Sequence, residues 1–398
     1  MKYDVLIVGA GIVGLATALK IKEKKPELSV IVLDKENAIA KHQTGNNSGV
    51  IHSGLYYKPG SQKAINCLTG YKMLIEFCDT HQIDYELCGK VVVAIDETEL
   101  PELEKLYKRG LEHGLKDLKM LDSTGIKEYE PHINGIKGFY VPQTGIINYS
   151  EVAAKMAEVF KAAGGAIMLN AKVTKVDKTS TSVTVYTNDK TLETNYLVNC
   201  AGLYSDKVAR INGDNEPIKI VPFRGEYFKL SKEKEYLIKN LVYPVPDPNF
   251  PFLGVHFTRM KKGGVEAGPN AVLAYKREGY SKSQINLSEF FETLAWPGFR
   301  KVAAKYWKTG MGEFYRSYSK KAFTKALQRL LPEITAKDLV PGGAGVRAQA
   351  CDKEGGLLDD FAIHESDRTV NVYNAPSPAA TSSLAIGTTI ADITLKHF

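Results

Sequence analysis

The sequence predicts a mixed α/β chain, α+β overall, in which a domain with parallel strands is interleaved with a second domain built on a mainly antiparallel sheet. The chain opens with an apolar, β-branched run, a Gly-rich turn and an Ala- and Leu-rich stretch, which together indicate a strand, a turn and a helix. Strand patterns separated by turns recur at residues 166–201 and 218–275. Because 398 residues exceed what one compact core usually covers, we expect two domains or three.

The elements follow from the spacing of apolar residues. Strand patterns lie at 3–8, 30–33, 90–95, 166–169, 171–176, 182–187, 196–201 and 370–373. Helical spacing lies at 61–81, 97–114, 150–163, 287–331 and from 383 onward. Two segments, 42–60 and 115–145, lack periodicity and predict loops, and a Gly-rich turn is expected at 342–345. The opening strand, helix and strand form a βαβ unit.

The first strand leads into Gly9-Ala10-Gly11-Ile12-Val13-Gly14, a G-x-G-x-x-G pattern at the opening of a helix. The first glycine permits a tight turn, the second lets the backbone approach a pyrophosphate, and the third lets helix and strand pack closely. The helix N-terminus presents unpaired N–H groups to phosphates. Asp34, at the end of the second strand, can accept hydrogen bonds from ribose hydroxyls. We therefore predict a Rossmann-type dinucleotide site.

Two distant segments favour FAD over a nicotinamide dinucleotide. The strand-then-Gly element VNCAGLYSD at 198–206 can return to the same nucleotide, and APSPAATSSLAIG at 375–387 can place a helix N-terminus beside it. The five cysteines have no metal-binding spacing and fit a reducing compartment, so we expect no metal site. Cys351 could carry a covalent flavin, but a buried thiol is the more frequent state, so we expect noncovalent FAD.

Beyond these motifs, the chain resembles the flavoprotein superfamily of D-amino-acid oxidase and glycerol-3-phosphate dehydrogenase, and within it the L-2-hydroxyglutarate oxidase or dehydrogenase family. The segments that carry the resemblance are TGNNSGVIHSGLYY at 44–57, PFRGEYF at 222–228, YPVPDPNFPFLGVHFTR at 243–259 and GAGVRAQ at 343–349. The chain departs from the pattern at Asp34, where many members have Glu, and at Asn46, where the closest members have His. The resemblance implies oxidation of L-2-hydroxyglutarate to 2-oxoglutarate.

The resemblance also implies an FAD domain assembled from separate segments and a substrate domain whose sheet covers the flavin. We expect the FAD-binding domain to comprise 1–88, 146–214 and 332–398, and the substrate domain to comprise 89–145 and 215–331, including a basic helical segment at 287–331. The expected cofactor-binding residues are Gly9, Ala10, Gly11, Gly14, Asp34, Lys35, Thr44, Asn47, Ser48, Val173, Ala201, Gly202, Gly345, Val346, Ala380, Thr381 and Ser382.

Oxidation of an α-hydroxy acid needs a base for the hydroxyl proton, and histidine suits this role because its ordinary pKa lies near neutrality. The candidates are His256, in a strand pattern after the proline-rich turn, and His52, which follows the polar loop expected beside the flavin. His42 is a further histidine that can face the cofactor. Each can instead satisfy a structural hydrogen bond.

A dicarboxylate substrate needs two cations or equivalent donors, and the planar arginine fork pairs with a carboxylate through two hydrogen bonds. Arg347 is the leading candidate because it follows a Gly-rich segment that lets the backbone come close to the flavin. Arg224 and Arg259 compete for the second carboxylate, with surface or interdomain ion pairs as the alternative. Tyr57 and Tyr243 can donate to a substrate oxygen or can pack at a domain boundary.

One basic segment carries the net charge of the chain, which is +7. Residues 297–329 hold nine Lys or Arg and one acid, Glu313, with aromatic residues interleaved. This pattern is typical of an interfacial helix pair, and a solvated basic face above an aromatic core is the alternative. No nucleic-acid recognition motif accompanies the charge. We expect a cytoplasmic protein, with peripheral docking on the anionic cytoplasmic face of an inner membrane left open.

Two other functions remain open from the sequence. An FAD-dependent amine or amino-acid oxidase uses the same fold, because hydride removal from a C–N bond needs a similar flavin site. A nonenzymatic FAD-binding protein would keep the glycine pattern without turnover. The pair of histidines and the several arginines favour an anionic hydroxy acid. Quinone and oxygen both remain open as the electron acceptor.

Overall fold

The computed structural model describes residues 1–247 and 254–398, so the centre of the 243–259 motif, with Pro248 and Pro251, lies outside the described residues. The strands of the described residues are β1 (Lys2–Val8), β2 (Val30–Leu33), β3 (Val50–Ile51), β4 (Tyr85–Glu86), β5 (Lys90–Ala94), β6 (Lys119–Asp122), β7 (Lys137–Val141), β8 (Gly145–Ile147), β9 (Ala166–Met168), β10 (Val173–Lys178), β11 (Val183–Thr187), β12 (Thr191–Asn199), β13 (Ile218–Leu230), β14 (Leu241–Pro244), β15 (His256–Arg259), β16 (Val265–Gly268), β17 (Val272–Leu273), β18 (Leu339–Asp352), β19 (Ala362–Ser366) and β20 (Thr369–Asn374). The α-helices are α1 (Ile12–Lys24), α2 (Gln62–Thr80), α3 (Leu100–Glu112), α4 (Ser123–Tyr129), α5 (Tyr149–Ala162), α6 (Ser205–Ile211), α7 (Leu287–Ala295), α8 (Pro297–Tyr318), α9 (Lys320–Leu327) and α10 (Ser383–Leu395). Short 3₁₀ helices lie at Glu97–Glu99, Gly202–Tyr204, Lys232–Leu237 and Ala336–Asp338.

The first sheet is the nucleotide-type sheet that the opening βαβ pattern predicts. Its strand order is β10-β11-β12-β1-β2-β9, with β20 beside β12 and β19 beside β20. β1 pairs in parallel with β12 and β2, whereas β10, β11 and β12 pair antiparallel. Alternate residues of β1 enter different cores: Val5 and Ile7 pack with α1, α5 and α10, and Leu6 and Val8 pack with β10 and β11. Burial on both faces explains why β1 is apolar throughout.

Glycines let the backbones around β1 and α1 come into direct contact. Gly9 has φ +108, and a Cβ there would lie 2.4 Å from the carbonyl oxygen of Cys200. A Cβ on Gly14 would lie 2.0 Å from the carbonyl oxygen of Gly9. The third glycine of the pattern therefore joins α1 to the turn before it, as the sequence predicts.

The second sheet is mainly antiparallel, with the strand order β17-β13-β16-β15-β14-β5-β7-β6 and β18 paired with β13. The pair of β13 and β18 runs from Ile218 opposite Asp352 to Leu230 opposite Leu339. β5 and β14 form a parallel pair within this sheet. A third, three-stranded antiparallel sheet has the order β3-β8-β4. The predicted fold class, α/β with a second, mainly antiparallel sheet, is confirmed.

Two expectations about loops are wrong. Residues 115–145 contain α4, β6, β7 and the start of β8, although prolines and glycines interrupt the sequence there. Residues 342–345 lie inside the long strand β18 and form no turn. A Cβ on Gly342 would lie 2.6 Å from the carbonyl oxygen of Tyr227, so this glycine serves a close backbone approach. Because β18 pairs with β13, the expected segment 332–398 contributes to both large sheets.

The basic segment forms α8 and α9, and its aromatic side chains divide between core and surface. Phe299 and Phe323 are buried, whereas Trp307, Tyr315 and Tyr318 are exposed. α8 is kinked at Tyr306, where φ is −110 and ψ is 19. Within the described part of the chain, no helix has the length and apolar character that crossing a bilayer would need.

The glycine contacts predict a difference between two alanine substitutions. Gly14→Ala should lower the free energy of unfolding by about 1–3 kcal/mol and reduce flavin retention, because the new methyl group overlaps the Gly9 carbonyl. Gly310→Ala is the matched control, since it lies in α8 with nothing within 4 Å of its Cβ position. It should be neutral or stabilise by up to about 1 kcal/mol. Equal thermal midpoints and flavin contents in the two variants would contradict this packing argument.

Candidate active site

A cavity of about 1080 Å³ is lined by residues of both large sheets and of the loops that join them. The expected cofactor residues that line it are Gly9, Gly11, Asp34, Lys35, Thr44, Asn47, Ser48, Val173, Ala201, Gly202, Gly345, Val346, Ala380 and Thr381. These residues come from segments up to about 370 positions apart in the chain, so the fold brings the glycine pattern, the 198–206 element and the C-terminal loop to one surface.

The other three expected cofactor residues support the walls of the cavity. Ala10 donates its backbone N–H to Oδ2 of Asp34 at 2.7 Å, and Gly14 packs on Gly9. Ser382 is fully buried, and its Cα would lie 2.6 Å from a Cβ on Gly70. These positions therefore act through packing and backbone contacts.

Asp34 is held at the end of β2 by two backbone donors. Oδ2 accepts from Ala10, and Oδ1 accepts from the N–H of Glu36 at 2.9 Å. A carboxylate has about four lone-pair sites, so acceptor capacity remains on the side that lines the cavity. The residues thus fit a ribose, with Gly9 and Gly11 at the opening of α1 for the pyrophosphate.

A charged cluster lines the cavity next to Asp34. Lys35 Nζ pairs with Glu278 at 2.7 Å and Glu36 at 2.8 Å, and His42 Nε2 lies 3.0 Å from each carboxylate. The hydrogen bond from Lys35, followed by that from His42, lowers the pKa of Glu36 to about 2. Burial opposes protonation of His42, but the two carboxylates raise its pKa. His42 is therefore engaged within this cluster.

His52 lines the cavity and is partly accessible from it. Its backbone N–H donates to Oγ1 of Thr381 at 3.1 Å, which ties the loop after β3 to the C-terminal loop. Burial is the main cause that lowers the pKa of His52 to about 3, and the positive charge of Lys90 acts in the same direction. The imidazole is thus neutral at physiological pH and able to accept a proton.

His256 is buried at the start of β15, and one contact fixes its tautomer. Nδ1 lies 2.8 Å from the carbonyl oxygen of Gly254, which can only accept, so Nδ1 carries the proton and Nε2 carries the lone pair. The ring stacks on Tyr243 with centroids 4.0 Å apart. Burial lowers the pKa of His256 to about 3. The hydrogen bond to Gly254 raises this pKa, whereas repulsion from Arg347 and Lys90 lowers it further.

Of the three expected arginines, only Arg347 lines the cavity. Its partner across the sheet is Phe223, whereas the neighbouring Arg224 stands opposite Val346. Because successive side chains point to opposite faces of a strand, Arg224 points away from the face that carries Arg347. Arg224 is fully buried and bonded to Glu226 through Nε at 3.0 Å and Nη2 at 2.8 Å. The structure thus gives Arg224 a structural ion pair and does not bring it to the cavity.

Arg259 also lies away from the cavity. Its guanidinium pairs with Glu86 and lines a separate cleft of about 290 Å³. The expectation that Arg259 meets the second carboxylate is therefore not supported, because the side chain points to the opposite face of β15 from His256 and Thr258.

The two candidate tyrosines lie behind the cavity wall. The hydroxyl of Tyr57 hydrogen-bonds with Ser377, and Lys63 Nζ lies 5.2 Å from its ring centroid. Tyr243 is buried between His256 and Tyr56, whose ring centroid lies 6.5 Å away. Tyr243 therefore positions the His256 ring by stacking.

Two residues near the histidines had no role assigned from the sequence. Tyr227 lines the cavity beside Arg347, and burial raises the pKa of its hydroxyl to about 12, so it is a neutral hydrogen-bond donor. Lys90 is 1% exposed, and its Nζ lies 4.5 Å from the Tyr243 ring and 4.8 Å from the Tyr56 ring. In the sequence, the position of Lys90 at the start of the apolar run KVVVA is the feature that could have identified it. Neutral histidines therefore lie close to positively charged side chains, and this combination suits proton removal from an anionic substrate.

Comparison with known proteins places this site in a family. The family described as FAD dependent oxidoreductase (DAO) matches residues 4–393. The chain is 60% identical over 399 residues to L-2-hydroxyglutarate dehydrogenase of Indibacter alkaliphilus, covering all of both chains. It is 43% identical over 413 residues to the mitochondrial L-2-hydroxyglutarate dehydrogenase of Homo sapiens, covering all of this chain and 89% of that protein.

Solved structures show the same fold at lower identity. L-α-glycerophosphate oxidase from Mycoplasma pneumoniae, solved with FAD bound, aligns with a TM-score of 0.80 at 23% identity, covering 100% of this chain and 95% of that chain. Glycine oxidase from Geobacillus kaustophilus aligns with a TM-score of 0.73 at 16% identity, covering 99% and 95%. The cofactor of this chain is FAD. The chain belongs to the DAO family of FAD-dependent oxidoreductases, within the branch of the L-2-hydroxyglutarate dehydrogenases.

Proposed function

We propose that the chain oxidises L-2-hydroxyglutarate to 2-oxoglutarate. The main support is the meeting of His52 and Arg347 at a cavity that also has the features of an FAD site, with His256 buried close enough for the charge of Arg347 to act on it. The relatives named L-2-hydroxyglutarate dehydrogenase, which match over the whole chain, supply the substrate. A neutral amine would need fewer positively charged side chains for binding than this site contains.

The cofactor supplies a hydride acceptor when it is bound, and the protein supplies the groups that prepare the substrate. His256 accepts the hydroxyl proton at Nε2, since Nδ1–H is committed to Gly254. Tyr243 holds the ring in place by stacking. His52, which lines the cavity directly, is the competing base.

Arg347 binds the carboxylate next to the reacting carbon. It shares the cavity with Gly345, whose missing side chain lets β18 approach the 46–48 loop: a Cβ there would lie 2.8 Å from the carbonyl oxygen of Asn46. Tyr227, on the adjacent strand, can donate a hydrogen bond to the same substrate. Positioning of this kind contributes to rate by fixing the reacting atoms in line.

The proposed electron acceptor is a membrane quinone, with oxygen as the alternative. The support is an exposed surface on α8, here called the α8 surface, formed by Trp307, Met311 and Tyr315 together with Lys301, Lys305 and Lys308. The segment's acid, Glu313, is buried, accepts from the N–H of Ala271 and pairs with Arg316, so it neutralises none of these three lysines. Aromatic residues beside lysines fit the headgroup region of an anionic bilayer.

Anaerobic mixing of the holoprotein with candidate donors tests the function. L-2-hydroxyglutarate should bleach the flavin absorbance rapidly, whereas its D-enantiomer and a panel of amino acids should not. Bleaching by an amino acid or amine alone would replace the proposal with an amine or amino-acid oxidase on the same fold. Bleaching by none of these would favour a nonenzymatic FAD-binding protein.

The low pKa of the histidines predicts the pH dependence of the reaction. A base must be neutral to accept a proton, and a pKa of about 3 keeps His256 neutral throughout the range from pH 7 to pH 5.5. kcat/KM should therefore not fall on going from pH 7 to pH 5.5, whereas an ordinary histidine would cause a fall of roughly eightfold. His256→Gln should lower kcat by about 10²- to 10⁴-fold with FAD retained.

His132→Gln is the matched control, because His132 pairs with Glu333 outside the cavity. It should leave kcat unchanged. An acid limb centred near pH 6.5, or full activity of His256→Gln, would remove His256 as the base.

The α8 surface predicts salt-sensitive binding to anionic vesicles. Replacing Lys301, Lys305 and Lys308 with Gln should weaken cosedimentation with phosphatidylglycerol vesicles by about 100-fold, at about 1 kcal/mol per lysine. The triple variant of Lys105, Lys108 and Lys116 to Gln removes the same charge from exposed positions in and after α3 and should bind as the wild type does. Equal binding of the two triple variants would rule out docking through this surface.

A further inference from the structure

Lys90 is a buried cation that the proposed chemistry leaves without a role. It begins β5, between β14 and β7 in the middle of the second sheet. Its Nζ lies near the rings of Tyr56 and Tyr243, at 4.8 and 4.5 Å from their centroids. Across the described residues, no carboxylate forms an ion pair with Lys90.

A buried ammonium without an anion is costly. Desolvation of an isolated charge costs several kcal/mol even after the protein relaxes, whereas a cation–π contact contributes about 0.5–2 kcal/mol. Burial accordingly lowers the pKa of Lys90 to about 7, although Cys67 and Cys88 act in the opposite direction. A bound anion would compensate this charge, so the surroundings of Lys90 favour an anionic ligand.

Lys90 does not line the cavity, but it lies close to both candidate bases. Tyr243 contacts both Lys90 and His256, and its ring centroid is 4.0 Å from that of His256. The charge of Lys90 also acts on both His52 and His256, and that of Arg347 acts on His256. Two cations of separate strands, β5 and β18, therefore converge on the candidate base.

The other cations considered for a second carboxylate are already compensated. Arg224 is paired with Glu226 and Arg259 with Glu86. Lys63, the other lysine whose charge reaches His52, is itself near Asp359 and Asp360. Lys90, in contrast, has no ion pair with a carboxylate among the residues that the structure describes.

We infer that Lys90 is a specificity-determining residue whose ammonium pairs with the distal carboxylate of a dicarboxylic 2-hydroxy acid, while Arg347 binds the carboxylate beside the reacting carbon. The inference rests on the proposed function and names the residue that selects its substrate class. Substrates with an apolar tail would leave the Lys90 charge uncompensated and would be discriminated against.

The test compares flavin reduction by L-2-hydroxyglutarate and by L-2-hydroxyvalerate, which has the same five carbons and lacks the distal carboxylate. In the Lys90→Met holoprotein, kcat/KM for L-2-hydroxyglutarate should fall by at least about 30-fold, since breaking a buried charge pair costs about 2 kcal/mol or more. kcat/KM for L-2-hydroxyvalerate should stay within about twofold of wild type or rise. Arg347→Ala should lower both values, because both donors carry the proximal carboxylate.

Lys63→Met is the matched control and should keep the wild-type ratio of the two donors. Lys90→Gln serves as the second variant if Lys90→Met loses FAD, and the same fall in the ratio is expected. An unchanged ratio in a flavin-retaining Lys90 variant would overturn the inference while leaving the proposed function intact. Failure of L-2-hydroxyglutarate to reduce the wild-type flavin would instead overturn the proposed function.

Discussion

Burial of positive charge beside two histidines is the constraint on which the site depends. Lys90 and Arg347 come from different strands of the second sheet, and the charges of both act on His256. Both charges add to the effect of burial on His256, and the charge of Lys90 also acts on His52, so that both histidines stay neutral. A neutral imidazole can accept a proton, and nearby cations can hold an anionic donor. One electrostatic arrangement therefore serves both catalysis and substrate selection.

The nucleotide side of the cavity depends on backbone packing. Gly9 and Gly14 bring α1, β1 and the end of β12 within contact distances that no side chain would allow. Asp34 then fixes the end of β2 to the turn through the N–H of Ala10. Because β18 reaches the same cavity through Gly345, the second sheet and the cofactor site share a wall. The reacting groups thus face each other across the junction of two sheets.

Most residues that the sequence assigned to the cofactor line the cavity, because their signals are local. The spacing of Gly9, Gly11 and Gly14 reports the backbone geometry of one turn, and the strand-then-Gly elements can be read in the same way. Features that depend on the pairing of strands far apart in the sequence were not predicted. The glycines at 342–345 indicate a turn in the sequence, but the pairing of β18 with β13 along its whole length makes them part of a strand.

The direction and the burial of individual side chains also could not be predicted from the sequence. Arg224 stands just before a glycine and Arg347 just after a Gly-rich segment, but the register of β13 and β18 sends the two side chains to opposite faces. Lys90 was missed because a lysine at the start of a strand is usually exposed, and only the pairing of β5 with β14 and β7 buries it. The aromatic residues of the basic segment could not be sorted into core and surface without the kink at Tyr306.

The most direct test of this account is a crystal structure of the holoprotein with 2-oxoglutarate bound. We expect one carboxylate on Arg347, the other within hydrogen-bonding distance of Lys90 Nζ, and the keto oxygen facing Nε2 of His256. A ligand held by Arg224 or Arg259, or one whose distal carboxylate lies in solvent away from Lys90, would contradict the central claim that buried positive charge selects the substrate.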